Sequence, residues 1–240
     1  MYYSIVIPIH NEEENIVSLI EEIEPVMEKL GQPWELLCID DGSTDRSLLI
    51  LQDLCKKKRY LRVLSFTRNF GQSSAFAAGF EAAKGVFVIT LDGDGQNDPS
   101  DIPILVEAIG DYDLVVGWRI HRKDPWTKRA TSRLSNWVRS RMCRDEMHDT
   151  GCSLKLYRKE ALDKIKMYKG MHRFLPALFS IEGFRIREIP VKHRERKGGV
   201  TKYNFFNRSL GPIRDMFMVR WMRKQALKHE VREEISHTKL

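Results

Sequence analysis

A chain of 240 residues with 42% hydrophobic and 30% charged residues is too apolar for a disordered polymer and long enough for one substantial α/β domain or two small ones. Its formal charge of +7 and pI near 9.2 suit a phosphate-bearing partner, with nucleic acid, an anionic membrane surface and a phosphorylated small molecule all compatible. Cys38, Cys55, Cys143 and Cys152 lack zinc-site or redox spacing, and there is neither a signal-peptide pattern nor an apolar run of roughly 20 residues, so a cytoplasmic protein with reduced thiols and no membrane span is expected.

The first half alternates strand and helix signals. Residues 4–9, 34–39, 61–66 and 86–91 are short and rich in branched or apolar side chains, while the segments between them repeat apolar residues at helical spacing, as in Ile16, Leu19, Ile20 and Ile23. Asp98 before Pro99 reads as an N-cap with proline in the first turn, predicting a helix over 99–109 and a fifth strand over 113–116. This β-α-β-α order predicts an α/β protein with a doubly wound, mostly parallel sheet and right-handed crossovers.

Beyond Gly117 the composition shifts. Residues 119–144 are dense in arginine and lysine, interleaved with Trp126, Leu134, Trp137 and Val138, which predicts a basic amphipathic helix lying against something anionic. A further strand pair is expected near 153–157 and 184–190, followed by a basic, glycine-containing loop over 193–203. Residues 205–227 mix Phe206, Leu210, Phe217 and Trp221 with Arg208, Arg214, Arg220 and Arg223. That segment is too charged to span a bilayer but suits lying on one, and packing into the protein's own core would look the same in sequence. We divide the chain into a domain over 1–205, with halves 1–117 and 118–205, and an amphipathic segment over 206–240.

Two acidic clusters stand at strand ends: Asp40-Asp41-Gly42-Ser43-Thr44-Asp45 and Asp92-Gly93-Asp94-Gly95-Gln96. In an open α/β sheet ligands collect at the carboxyl ends of strands, so both fall on one rim. Carboxylates gathered there repel one another unless a cation intervenes, and an oxygen-only set favours Mg2+ or Mn2+. Asp92 and Asp94, two apart in extended chain, can address one ion; a plain Asp-Gly turn is the alternative. Asp40 and Asp41 suit a ribose hydroxyl or base edge, ahead of a helix capped near Ser43 or Thr44.

These two clusters, with Pro8-Ile9-His10-Asn11-Glu12, Arg68-Asn69-Phe70-Gly71-Gln72, Asp149-Thr150-Gly151-Cys152-Ser153 and the loop Arg196-Lys197-Gly198-Gly199-Val200-Thr201-Lys202-Tyr203, closely resemble the family-two inverting glycosyltransferases of GT-A fold. The likeness runs in order over residues 4–205 and is strongest to the dolichyl-phosphate mannose synthase and polyprenyl-phosphate glycosyltransferase branch. His10 departs from the aromatic or small residue common there, and the membrane-spanning C-terminal helices of many members have no counterpart in this chain.

The resemblance implies a nucleotide-sugar pocket of Pro8, Asn11, Glu12, Asp40, Asp41, Gln72, Asp92 and Gly93. It implies a metal held by Asp92, Asp94 and Gln96, and Arg196 and Lys202 closing over the diphosphate. Arg119, Arg129, Arg133 and Ser153 are candidates for the acceptor side, and Asp94, Asp149 and Arg196 for catalysis. The expected partners are a nucleotide-sugar donor (GDP-mannose or a UDP-sugar), a polyprenyl phosphate and an anionic membrane surface at the cytoplasmic face, reached directly or through a separate anchoring protein; nucleic acid is not expected. A lipid phosphate has a second pKa of about 6 and needs no strong base, whereas a sugar hydroxyl needs a carboxylate such as Asp149. Transfer to a hydroxyl is therefore the rival activity. A basic nucleic-acid or membrane binder is the non-enzymatic rival, and it leaves the acidic rim unexplained.

Overall fold

The computed structural model describes residues 1–119, 147–194 and 210–226. Seven strands form one sheet in the order β3-β2-β1-β4-β6-β5-β7. They are β1 (Tyr3–Ile9), β2 (Trp34–Asp40), β3 (Leu61–Ser65), β4 (Phe87–Thr90), β5 (Leu114–Arg119), β6 (Lys155–Arg158) and β7 (Ile186–Val191). The pairs are parallel except that β6 runs antiparallel to both β4 and β5. Strands 153–157 and 184–190 of the sequence reading are thus present as β6 and β7, but they do not pair with each other: β5 lies between them.

Helices cover both faces. They are α1 (Ile16–Leu30), α2 (Ser47–Lys57), α3 (Gln72–Ala82), α4 (Ile102–Ala108), α5 (Lys159–Leu162), α6 (Leu175–Ile181) and α7 (Leu210–Gln225), with 3-10 turns at Pro99–Asp101 and Met171–Phe174. Strand β1 shows why the sheet needs two layers. Ile5, Ile7 and Ile9 enter one core layer with Ile16, Leu19, Ile20 and Ile23 of α1, and Val6 enters the other with Phe76 and Phe80 of α3. Period-two alternation sends successive side chains to opposite faces, and both faces being covered makes the strand apolar throughout.

Three local expectations shift. The helix predicted over 99–109 divides into the 3-10 turn and α4, with Asp98 accepting from the Ser100 N–H at 2.9 Å as its cap. The strand predicted over 113–116 runs from Leu114 to Arg119. Helix α2 begins at Ser47 instead of near Ser43 or Thr44, because those two residues serve another loop: the Asn11 N–H donates to Ser43 Oγ at 3.0 Å, and the Thr44 N–H donates to Asn11 Oδ1 at 2.7 Å. Asp45 accepts from the Ser47 N–H at 2.9 Å in their place.

Helix α7 packs Met216 and Val219 into the second core layer. It does not sort into one apolar and one basic face, since Asp215 is buried while Phe217 and Trp221 are 59% and 60% exposed. The basic helix expected over 119–144 lies outside the described residues apart from Arg119. Cys38, Cys55 and Cys152 are free thiols, and Cys143 lies outside the described residues. Among the described residues no helix is long and apolar enough to cross a membrane.

The chain leaves β1 toward β2 and β3, then returns to place β4 on the other side of β1. The loops after β1 and β4 therefore diverge, which opens a crevice at the carboxyl ends of the strands. Because β6 is antiparallel, its amino end, preceded by residues 149–154, comes to the same rim.

Candidate active site

The first acidic cluster builds the wall of the crevice. Asp40 is 1% exposed; it accepts from Ser65 Oγ at 3.0 Å and from the Ser43 N–H at 3.3 Å. Asp41 accepts from the N–H groups of Phe70 and Gly71 at 2.7 and 2.9 Å, so it anchors the loop leading into α3. Gly42, at φ +65°, lets that loop approach: a Cβ there would lie 2.3 Å from the Arg68 carbonyl carbon. Pro8 lies in β1 opposite Ile39. The Glu12 N–H donates to Ser47 Oγ at 2.9 Å, and its carboxylate accepts from Asn15 Nδ2 at 2.8 Å.

The second cluster is held from three sides. Gln72, the first residue of α3, donates through Nε2 to Asp92 Oδ1 at 2.8 Å, and the Gln96 N–H donates to Asp94 Oδ1 at 3.1 Å. Gly93 presses the loop onto β1, where a Cβ would meet Ile9 Cδ1 at 2.7 Å and the Pro8 oxygen at 3.1 Å. Asn97, which the sequence reading did not single out, accepts on Oδ1 from both the Asp92 N–H (3.2 Å) and Ser153 Oγ (2.7 Å). The end of β7 closes the third side: the Arg194 N–H donates to the Gln96 carbonyl at 3.0 Å, and its guanidinium reaches Asp98 at 2.6 Å and pairs with Glu22 of α1.

This arrangement suits a hard divalent cation. Asp92 and Asp94 supply two carboxylates, and no group of three His, Cys, Asp or Glu residues gathers for a metal among the described residues. Magnesium is commonly held in this way, by one or two carboxylates with waters and substrate phosphates completing the shell.

Arg119 and Asp149, read from sequence as phosphate ligand and base, form one ion pair. Arg119 Nε reaches Asp149 Oδ2 at 2.7 Å and its Nη2 reaches Oδ1 at 3.0 Å, with side chains only 15% and 9% exposed. Burial would lower the guanidinium pKa, but the hydrogen bonds and charge of Asp149 reverse this and hold it above its usual value. Glu188 of β7 fixes the turn, accepting from the Asp149 N–H at 3.0 Å and the His148 N–H at 2.9 Å, and the His148 ring stacks on Trp118 at 4.5 Å.

Beside Asp92 lies a cavity of about 120 Å3, lined in part by Gln72, Thr150, Ser153, Lys155, His172 and Arg173. Lys155 is 4% exposed, donates to the Cys152 carbonyl and has its pKa lowered by burial, an effect that Cys152, Asp92 and Asp149 oppose. His172 Nδ1 lies 2.6 Å from Ser73 Oγ, which also accepts from the Gly170 N–H at 2.9 Å. Burial, with the charges of Arg173 and Lys155, pushes the imidazole down to about 3. Gln72, Asp92 and Ser153 of this cavity were named from the sequence, whereas Lys155, His172 and Arg173 were not. The structure thus gathers Asp92, Gln72 and Ser153 at one cavity, with Asn97 tying Ser153 to the Asp92 backbone, whereas Arg129, Arg133, Arg196 and Lys202 lie outside the described residues.

Solved structures share this mostly parallel, helix-flanked sheet. Glucosyl-3-phosphoglycerate synthase from Mycobacterium tuberculosis, solved with UDP and also with Mn2+, UDP and phosphoglyceric acid, superposes with a TM-score of 0.68 at 19% identity. The match covers 95% of this chain and 81% of that one in the UDP complex. Residues 4–166 match glycosyl transferase family 2, and the chain belongs to that family. It is 39% identical over 222 residues to the dodecaprenyl-phosphate galacturonate synthase of Rhizobium johnstonii, covering 90% of this chain and 65% of that protein. It is 40% identical over 205 residues to the undecaprenyl-phosphate 4-deoxy-4-formamido-L-arabinose transferase of Edwardsiella ictaluri, covering 84% and 63%. The chain thus spans somewhat under two thirds of the length of these curated relatives.

Proposed function

We propose that this protein is a metal-dependent, inverting glycosyltransferase that moves a sugar from a UDP-linked donor to a polyprenyl phosphate. The observation that carries the reading is the Asp92–Asp94 loop, braced by Gln72, Asn97 and Arg194 next to a cation-lined cavity. The names of the two relatives support the acceptor, and the UDP complexes of the structural neighbour support the donor. Asp92 and Asp94 would hold Mg2+ or Mn2+, which when bound supplies positive charge against the departing diphosphate. Gln72 orients the Asp92 carboxylate, and the Asp40–Asp41 wall with Asn11 and Glu12 shapes the nucleoside side.

The Arg119–Asp149 pair favours a phosphate acceptor over a hydroxyl. A carboxylate bound on both oxygens by a buried guanidinium is a poor proton acceptor, whereas a phosphate dianion brings its own nucleophilic oxygen. The exposed Phe217, Met218 and Trp221 of α7, flanked by exposed Arg214, Arg220 and Lys224, would rest on an anionic membrane surface and bring the rim to the lipid.

The test is transfer of label from radiolabelled UDP-sugars and GDP-mannose into the organic phase, with polyprenyl phosphate and Mn2+ or Mg2+. Asp94→Asn should lower metal-dependent transfer roughly 100-fold or more, the scale of losing several kcal/mol of charge stabilisation. Transfer that ignores both the metal and Asp94 would refute the reading.

A further inference from the structure

Taking the acceptor to be a polyprenyl phosphate, as just proposed, we infer that its phosphate docks in the cavity beside Asp92, with Lys155 and Arg173 as its cationic ligands. Both residues line that cavity, and neither forms an ion pair within 4.0 Å among the described residues. A buried ammonium is costly to keep without a counter-charge, and Lys155 has three N–H donors of which the Cys152 carbonyl takes one. Arg119, a further described cation at this part of the rim, has its charge balanced by Asp149 through two hydrogen bonds and keeps other N–H donors. A phosphate beside Arg119 meets a guanidinium whose charge Asp149 already balances; a phosphate entering beside Lys155 meets an ammonium with no ion pair among the described residues.

The opposite wall sets an order of events. Asp92 also lines the cavity and would repel an incoming dianion while its own charge is unbalanced. The acceptor phosphate therefore binds after a divalent cation has neutralised the Asp92–Asp94 loop. In the reaction a phosphate oxygen forms the bond to the anomeric carbon as the bond from that carbon to the diphosphate breaks. The electron pair leaves with the nucleoside diphosphate, and no proton has to be removed from the dianion. His172, held by Ser73 and pushed down in pKa, stays a neutral part of the wall near pH 7.

The experiment is calorimetric titration of a ten-carbon prenyl phosphate into the full chain with UDP and Mn2+ present. Lys155→Met should weaken prenyl-phosphate binding at least tenfold and Arg173→Gln severalfold, with UDP affinity changed less than twofold; Lys155→Arg should stay within about threefold of the unaltered protein. Methionine replaces a buried ammonium by an apolar chain of similar length, so this variant stays folded, which its thermal transition verifies. Inorganic phosphate should compete weakly with the prenyl phosphate and lose that effect in Lys155→Met. Omitting Mn2+ should weaken prenyl-phosphate binding to the unaltered protein. Unchanged prenyl-phosphate affinity in both Lys155→Met and Arg173→Gln, or a loss confined to UDP-sugar binding, would overturn the inference and leave the polyprenyl acceptor standing. A chain that binds UDP and Mn2+ but no prenyl phosphate would sink the acceptor reading, and this inference with it.

Discussion

Asp149 and Arg119 meet through two parallel hydrogen bonds in a setting where neither side chain is more than 15% exposed. Removing one partner of such a pair strands a buried charge, so Asp149→Ala should cost roughly 3–5 kcal/mol of stability, measured by urea unfolding. The double variant Arg119→Met with Asp149→Leu should recover much of that loss, because no charge is then left unpaired. His172 gives a second prediction at this scale. Its folded pKa, pushed to about 3 by burial first and then by Arg173 and Lys155, lies below the model-peptide value of 6.5. Between those limits the unfolded chain takes up a proton that the folded chain refuses. Its contribution is therefore fully present above pH 6.5 and is lost as pH falls toward 3, at up to about 1.4 kcal/mol per pH unit. His172→Gln should flatten the pH dependence of unfolding free energy across that window by one proton. Asp92 and Asp94 stood out in the sequence as paired carboxylates at a strand end, with a plain Asp-Gly turn as the alternative, and their metal-holding role belongs to the proposal. Lys155 and Arg173 did not stand out, since a single cation discloses nothing until its neighbours are known.

At the level of elements, the loops at the strand ends are tied to one another more than to their own helices. Asn11 is bonded to Ser43 and Thr44, Asp41 holds Phe70 and Gly71, and Asn97 joins the Asp92 loop to Ser153. Gly42→Ala probes the second of these ties. The new methyl would meet the Arg68 backbone at 2.3 Å from a left-handed φ, so backbone must move. We expect a loss of roughly 2–4 kcal/mol in stability, together with weaker UDP binding as the loop before α3 shifts; thermal unfolding and calorimetry measure the two. Element types were readable from apolar periodicity and from the Asp98-Pro99 cap. The start of α2 was not, because Ser43 and Thr44 look like caps in sequence and are used instead by a loop 32 and 33 residues away.

Across the described residues, one sheet carries strands from both halves of the chain, and β6, antiparallel to its neighbours β4 and β5, turns the Asp149–Lys155 segment toward the acidic loops. Helix α7 meets the second core layer through Met216 and Val219 and leaves Phe217 and Trp221 outward. If this surface rests on membrane, the protein should float with vesicles rich in anionic lipid at low salt, release as salt rises, and lose most of that binding in Phe217→Glu with Trp221→Glu. Flotation unchanged in the double variant would assign the attraction to the rest of the chain, whose net charge is +7.

What the sequence by itself determined was the alternation of strands and helices, the rim on which the acidic residues fall, and the family. The first two follow from short-range rules, namely apolar period, capping chemistry and the placement of ligands at strand ends, and the family from the resemblance of the ordered motifs. Only the tertiary structure decided that Arg119 is paired with Asp149, that β5 separates the two late strands, and that Lys155 and Arg173 share a cavity with Asp92. Those outcomes depend on which distant groups meet across the sheet, and the charge or hydrogen-bonding capacity of a residue is settled by the partner it meets, which no local pattern encodes.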